Sequence, residues 1–97
     1  MQVKTSELTG AALDWAVAKC EGITLGVVYY FQPSTNWSQG GPIIERERIT
    51  VIAMPNGTWA TSTPLHSFHH PTPLIAAMRC YVASKLGVEI EIPAELK

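Results

Sequence analysis

The sequence has little charge and no excess of one sign: seven basic and eight acidic side chains among 97 residues leave a net charge of −1. Proteins that grip duplex nucleic acid normally carry a basic face or a high pI, so we expect no such partner. The apolar runs are interrupted before the roughly 18 residues that a membrane span needs, and the first ten residues hold no apolar core of a secretory signal. These absences predict a cytoplasmic protein without a membrane partner.

The usual signatures of catalysis and metal binding are also missing. Cys20 and Cys80 stand far from any Cys/His cluster, and we interpret both as small buried apolar side chains. His66, His69 and His70 lie between two prolines without a nearby carboxylate, which favours loop imidazoles over zinc ligands. No Walker loop, G-x-G-x-x-G or nucleophile elbow occurs. We therefore predict no metal, no cofactor, no catalytic residue and no enzymatic activity.

The remaining composition is typical of one compact domain, 1–97, because 46% of the residues are hydrophobic and 15% charged. Apolar periodicity predicts two main helices, at about 6–21 and 72–86, each followed by a glycine. Asn56-Gly57 is a strong hairpin-turn signal. Alternating or β-branched patterns predict short strands at 2–4, 23–31, 49–54, 58–62 and 88–92. The predicted fold is α+β, with a mostly antiparallel sheet of about four to five short strands packed with the two helices.

Both predicted helices have broad apolar surfaces. In the first helix, Glu7, Asp14 and Glu21 form the strip expected to face solvent. The second helix has small side chains on one side that would let another backbone approach, namely Ala76, Ala77, Cys80 and Ser84. A chain of this length can bury the apolar surfaces of two such helices only with difficulty. We therefore predict a homodimer or a higher homo-oligomer.

Three long blocks of sequence occur in order: SELTGAALDWAVAKCEG, PSTNWSQGGPIIERERI and PTPLIAAMRCYVASKLGVEIEIPAEL. In these blocks the chain resembles the NinX-like family of short proteins from tailed phages and enterobacterial prophages. The resemblance covers more than half of the chain. It implies a phage or prophage origin and expression in the cytoplasm of the infected bacterial host. It implies no particular activity, because no biochemical role is established for the family.

The segment 32–42 is predicted to be an irregular loop rich in hydroxyls, amides and glycine. Glycine amides can form a nest for an anion, and a helical turn starting at Pro42 would add its positive end. Trp37 offers a stacking face. We therefore predict a ligand site, with arginines to neutralise charge, at Ser34, Thr35, Asn36, Trp37, Gln39, Gly40, Gly41, Arg46, Arg48 and Arg79. The alternative is a self-packed loop in which Ser34 and Asn36 cap turns and Trp37 fills the core.

The arginines have other interpretations as well. The alternating run at 45–48 is typical of ion pairs along a strand edge. Arg79, at the border of an apolar stripe, needs a carboxylate, a backbone carbonyl or a bound anion. We expect an internal carboxylate, such as that of Glu7, Glu45 or Glu47.

Taken together, these features predict a non-enzymatic phage accessory protein that binds or sequesters a small anionic, nucleotide-like ligand, for example a host immune signal. The alternative is an interaction module that binds a host or phage protein through an exposed apolar patch. A more distant third interpretation is a small enzyme acting on a nucleotide.

Overall fold

The computed structural model describes residues 1–23 and 30–96, so the strand predicted at 23–31 falls largely outside the described residues. No helix in these ranges has the length and apolarity needed to cross a membrane. Single 3₁₀ turns occur at Thr5–Glu7 and Ala94–Leu96. The described helices and strands are, in order, β1 (Gln2–Lys4), α1 (Gly10–Glu21), α2 (Trp37–Glu47), β2 (Thr50–Ala53), β3 (Trp59–Ser62), β4 (Ser67–His70), α3 (Pro73–Leu86) and β5 (Glu89–Glu91).

The described strands form two antiparallel sheets rather than one. Strands β1 and β5 pair near the two ends of the chain, and β2, β3 and β4 form a sheet in that order. The predicted hairpin between β2 and β3 is confirmed, with Gly57 at φ +87°. Asn56 Oδ1 stabilises the turn by accepting hydrogen bonds from the Thr58 N–H and hydroxyl, at 3.1 and 2.6 Å. The α+β prediction is confirmed.

Helix α3 lies at the centre of the core, where α1, α2, β3 and β4 all pack against it. Its small-residue side is covered by the chain itself: Ala76, Ala77 and Cys80 are fully buried, and Cys80 Sγ lies 3.3 Å from Thr61 Oγ1 of β3. Much of the helical surface that motivated the predicted homodimer is therefore already packed. The homodimer stays a prediction, and its interface would need another surface.

The first helix begins at Gly10, later than the predicted position near residue 6. The preceding residues are held instead by the far end of the chain. Thr5 donates from its backbone N–H to the Val88 carbonyl at 2.8 Å and from its hydroxyl to the Gly87 carbonyl at 2.7 Å. These bonds fix Thr5–Glu7 as a separate turn and delay the start of α1.

The largest correction to the predicted fold is α2, which occupies much of the segment expected to be a loop. Asn36 caps this helix by accepting a 2.9 Å hydrogen bond from the Ser38 N–H. Gly40 is buried against Leu74 and the Pro33 carbonyl, and a Cβ at this position would lie 2.5 Å from each. Close packing on α3 thus overrides the poor helix propensity of the Gly-Gly-Pro sequence.

A second correction concerns the segment of His66, His69 and His70, whose imidazoles the sequence predicts to lie in a loop. Ser67–His70 instead forms β4, paired with β3 through a tight turn in which Thr63 and His66 exchange backbone hydrogen bonds of 2.8 and 3.3 Å. The alternation of exposed Ser67 and His69 with half-buried Phe68 and His70 is the period-2 pattern of a strand covered on one face. The two histidines of β4 made the period-2 pattern difficult to recognise in the sequence.

Candidate functional site

A cavity of about 370 Å³ opens beside the N-terminal half of α1. Binding sites for small molecules begin at about 300 Å³, so this volume suits a small ligand. Its walls come from three parts of the chain, with the lining residues Gly10, Ala11, Asp14, Trp15, Phe31, Gln32, Thr35 and Leu96.

Asp14 is the one titratable side chain among the described lining residues. It was expected to face solvent, but it is only 7% exposed because the chain returns over α1 at 31–35. The Ser34 N–H donates a 2.9 Å hydrogen bond to Asp14 Oδ1. Burial raises the pKa of the Asp14 carboxyl from its ordinary value, and this effect exceeds the opposing effect of hydrogen bonding by Ser34.

Two aromatic side chains, Trp15 and Phe31, line the same cavity. The Lys19 ammonium lies 5.3 Å from the centroid of the Trp15 ring, so a cation stands next to one wall. The cavity therefore combines aromatic surfaces for a flat ring, a buried hydrogen-bond acceptor and a nearby positive charge.

The predicted ligand-binding segment has a different geometry from the one expected. Thr35 is its one member that lines the cavity, and Ser34 lies fully buried behind it. The Ser34 hydroxyl makes no hydrogen bond of good geometry with the described residues, although it lies close enough to the Asp14 carboxyl to help lower its pKa. Trp37 is 54% exposed as the first residue of α2, so the alternative in which it fills the core is wrong.

The remaining polar groups of this segment stabilise the fold. The Gly40 N–H donates to the Asn36 carbonyl at 2.9 Å, and Gly41 lies inside α2. Gln39 accepts a 2.5 Å hydrogen bond from the Gln32 N–H and donates one of 2.7 Å to the Tyr30 carbonyl. The helix begins at Trp37 rather than at Pro42, so the predicted loop nest is absent from this conformation. A role of these residues in ligand binding stays a prediction.

None of the three predicted arginines lines the cavity. Arg46 lies in α2, not on a strand edge, and forms ion pairs with Glu21 at 2.6 Å and Glu47 at 2.8 Å. Arg79 is 8% exposed and donates from Nε to the Leu8 carbonyl at 2.8 Å. Its expected carboxylate partner is not found among the described residues, so the backbone carbonyl takes that role. Arg48 is exposed at the end of α2, without an ion pair in the described ranges.

The histidines and cysteines lie elsewhere. His69 is exposed, whereas His70 Nδ1 accepts a 2.9 Å hydrogen bond from the Thr72 N–H. Within residues 1–23 and 30–96, no three His, Cys, Asp or Glu side chains cluster as metal ligands would. Cys80 is fully buried, and burial, with a smaller effect of Glu21, raises the pKa of the half-buried Cys20 to about 11. Burial also raises the pKa of Cys80, so the surroundings of both thiols disfavour the thiolate form.

The sequence-based site missed the residues of α1 that build the cavity. Asp14 carried a usable signal, because it is the sole aspartate in the chain and it stands between Leu13 and Trp15 in a helix rich in alanine. A helical wheel considers one helix alone, however, and could not reveal that residues 31–35 cover this side of α1.

Fold and cavity together define a small α+β protein with a ligand-sized cavity at α1. A comparison with protein-family models gives a match over residues 24–85 to the family described as "Bacteriophage P22, NinX". The chain belongs to this phage family, which confirms the resemblance noted in the sequence. A comparison with curated proteins found no match. The matched range includes Phe31, Gln32 and Thr35 of the cavity, whereas the α1 residues precede it.

Proposed function

We propose that this NinX family member is a non-enzymatic phage accessory protein that binds, and thereby sequesters, a small nucleotide-like ligand in the cavity at α1. One observation carries the proposal: a buried carboxyl, Asp14, and two aromatic side chains, Trp15 and Phe31, line the same ligand-sized cavity. Specific sites for small molecules combine apolar walls with a few placed polar groups in this way.

The anionic part of such a ligand has two local sources of positive potential. The first is Lys19, next to Trp15. The second is the N-terminus of α1, where Gly10 and Ala11 line the cavity and Thr9 provides no side-chain cap. Thr35, from the originally predicted set, would supply a hydroxyl at the rim. This arrangement needs no large net positive charge, which the chain lacks.

We favour binding over turnover because Asp14 is the single titratable group in the described lining. General acid–base catalysis on a nucleotide normally uses two groups with different pKa values. A counter-defence role in the host cytoplasm fits a phage protein that removes a signal by holding it, and it belongs to the same proposal.

The experiment is a thermal-shift and calorimetric screen of ribonucleoside monophosphates and cyclic nucleotides against the purified protein. Ala11→Tyr places a bulky side chain in the cavity at an exposed position of α1 and should abolish binding. Ala53→Tyr, at an exposed position of β2 away from the cavity, is the matched control. If no nucleotide binds at millimolar concentration, or if Ala11→Tyr binds as well as wild type, the proposal is wrong.

A second function, capture of a host or phage protein, is favoured by a different observation. Tyr30 is 82% and Trp37 54% exposed, and Gln39 of α2 bonds to the Tyr30 carbonyl, which holds Tyr30 next to the helix that begins at Trp37. A pulldown from infected-cell lysate with wild type, Trp37→Ala and Ala11→Tyr tests it. A protein that is lost only with Trp37→Ala would support this function over ligand capture.

The predicted homodimer remains part of the proposal. Light scattering coupled to size exclusion at micromolar concentration should give at least twice the 10.6 kDa mass of the chain, as expected for a homodimer or a higher homo-oligomer. A mass of one chain would contradict it without affecting the cavity.

A further inference from the structure

The Asp14 carboxyl has one oxygen that the fold does not use. Oδ1 accepts the Ser34 N–H at 2.9 Å. The Ser34 hydroxyl also lies near the carboxyl and helps to lower its pKa, but no other described residue bonds to Oδ2. The side chain is 93% removed from solvent and still lines the cavity. Oδ2 is not one of the fully buried atoms without a partner in the described residues, so it keeps some access to solvent through the cavity.

Stability alone does not account for an acid at this position. Among the described residues the carboxyl contacts polar groups of Ser34 alone, the N–H at 2.9 Å and the nearby hydroxyl, and the neutral amide oxygen of asparagine would accept the N–H bond equally well. Asparagine would also avoid most of the cost of burying a charge. The distinguishing property of aspartate here is therefore a second, acceptor-only oxygen, available to whatever enters the cavity.

The aromatic walls restrict what can enter. Trp15 and Phe31 both line the cavity, and aromatic side chains favour contact with a flat heterocycle. A flat ring stacked in the cavity would turn one polar edge toward Asp14. The hydrogen-bond pattern of that edge then decides which rings bind well.

We infer that Asp14 selects a guanine-type edge, in which a ring N–H and an adjacent exocyclic NH₂ both point in one direction. An ionised carboxylate has about four acceptor sites, so Oδ2 can accept one donor while Oδ1, already bonded to the Ser34 N–H, accepts the second through its other lone pair. Such charge-assisted pairs are the strong class of hydrogen bond. This inference rests on the proposed function, since it names the base of the nucleotide-like ligand held in the same cavity.

The other common bases would place a hydrogen-bond acceptor opposite an oxygen of the Asp14 carboxylate. Adenine and cytosine place an unprotonated ring nitrogen beside the amino group, and uracil places carbonyl oxygens on both sides of its N–H. Hypoxanthine is the closest comparison, because it differs from guanine by loss of the NH₂ group. A missing or mismatched partner at a buried acceptor is penalised strongly.

The test uses wild-type protein first. Calorimetric titration with guanosine, inosine, adenosine, cytidine and uridine 5′-monophosphates should show guanosine monophosphate binding about tenfold or more tightly than the others, the discrimination typical of a bidentate contact. Because guanosine and inosine monophosphates share their phosphate, ribose and carbonyl, their ratio reports on the amino group alone. Equal affinities for these two ligands would overturn the inference.

The second arm is Asp14→Asn, with Glu7→Gln as the matched control that removes an exposed carboxylate outside the cavity. If the oxygen of the substituted amide stays on the Ser34 N–H, the amide NH₂ group faces the cavity and replaces an acceptor by a donor. The ratio of guanosine to inosine monophosphate affinity should then fall to about one or below, while Glu7→Gln keeps the wild-type ratio.

The outcomes distinguish two claims: that the cavity binds a nucleotide, and that Asp14 selects its base. If no nucleotide binds, the proposed function itself fails. If nucleotides bind and Ala11→Tyr blocks them, but wild type shows no guanine preference or Asp14→Asn keeps it, the function stands and the role of Asp14 is wrong. The wild-type ratio needs no variant, so the inference is tested even if Asp14→Asn does not fold.

Discussion

The backbone N–H of Ser34 donates a 2.9 Å hydrogen bond to Asp14 Oδ1, and this bond ties the chain before α2 to the middle of α1. It closes one wall of the cavity and holds a carboxyl in a nearly solvent-free position. The same contact therefore organises the fold and creates the group that we assign to ligand recognition. Sites of this kind often cost stability.

We expect Asp14→Asn to raise the free energy of unfolding at pH 7, by up to about 1 kcal/mol, because it keeps the bond to Ser34 and removes a buried charge. The raised folded-state pKa of Asp14 means that the fold favours the protonated form. That contribution is fully present below the unfolded pKa of about 3.9 and is lost as the pH rises through the folded pKa. Urea melts of both proteins between pH 4 and 8 should show that the difference in free energy of unfolding between Asp14→Asn and wild type becomes smaller at acid pH.

If this difference in free energy of unfolding is constant with pH, or if Asp14→Asn is less stable than wild type at pH 7, Asp14 stabilises the fold as an anion. Glu7→Gln controls for the general effect of removing one negative charge, since Glu7 is exposed. Neutral pH is the critical condition, because only there does the predicted gain in stability accompany the predicted loss of guanine preference.

Much of the fold could be predicted from local pattern. The apolar period of α3 and its final glycine, the Asn56-Gly57 turn, and the alternation of Ile90 and Ile92 with glutamates each determine their own element. In these segments propensity and burial agree, so no distant contact is needed to choose the structure.

The candidate site could not be predicted in this way, because it depends on contacts between distant segments. Helix α2 forms in spite of the low helix propensity of its Gly-Gly-Pro sequence, because Gly40 packs closely against Leu74. Asp14 is buried because the segment that contains Ser34 lies over it. Neither contact leaves a periodic signal in the sequence. Thr35 belongs to both the predicted site and the cavity. The sequence therefore predicted one residue of the cavity wall, but not the residues of α1 that form the rest of that wall.

The two adjacent glycines of α2 should respond oppositely to alanine. Gly40→Ala puts a Cβ 2.5 Å from both Leu74 Cδ1 and the Pro33 carbonyl oxygen, and overpacking of this kind typically costs about 1–3 kcal/mol. Gly41→Ala meets only Trp37 Cε3, at 4.0 Å, and should stabilise α2 by about 0.5–1 kcal/mol. Thermal melts of the two variants make each the control for the other. Equal effects would show that Gly40 is not a packing position.

Trp37→Ala should leave the fold intact. The side chain is 54% exposed, so its removal should change the free energy of unfolding by no more than about 1 kcal/mol, far from the 3–5 kcal/mol of a buried tryptophan. Trp15→Ala, which removes a wall of the cavity, should in contrast reduce nucleotide binding. Chemical denaturation and titration of both variants test this contrast. If Trp37→Ala alone abolishes nucleotide binding, the ligand site lies at the start of α2, as the sequence first suggested.

The final prediction concerns the charged contact between α1 and α2. Arg46 bonds both oxygens of Glu21, at 3.1 and 2.6 Å, and the Tyr81 hydroxyl donates to the same carboxylate. The hydrogen bonds from Arg46, followed by that from Tyr81, outweigh burial and lower the pKa of Glu21 below its ordinary value. A lowered folded-state pKa gives stability that is present above the unfolded pKa of about 4.3 and is lost as the pH falls through the folded value.

Glu21→Gln should therefore reduce the free energy of unfolding at pH 7 by about 0.5–1 kcal/mol, the range of a well-formed but half-exposed ion pair. The difference from wild type should shrink as the pH drops below about 4.3, and added salt should reduce it at pH 7. Glu45→Gln is the control, because Glu45 is exposed on α2 and has no ion pair among the described residues. Urea melts at pH 3.5 and pH 7 decide the matter: a loss that is the same at both values, or one matched by Glu45→Gln, would show that the Arg46 contact does not stabilise the packing of α1 and α2.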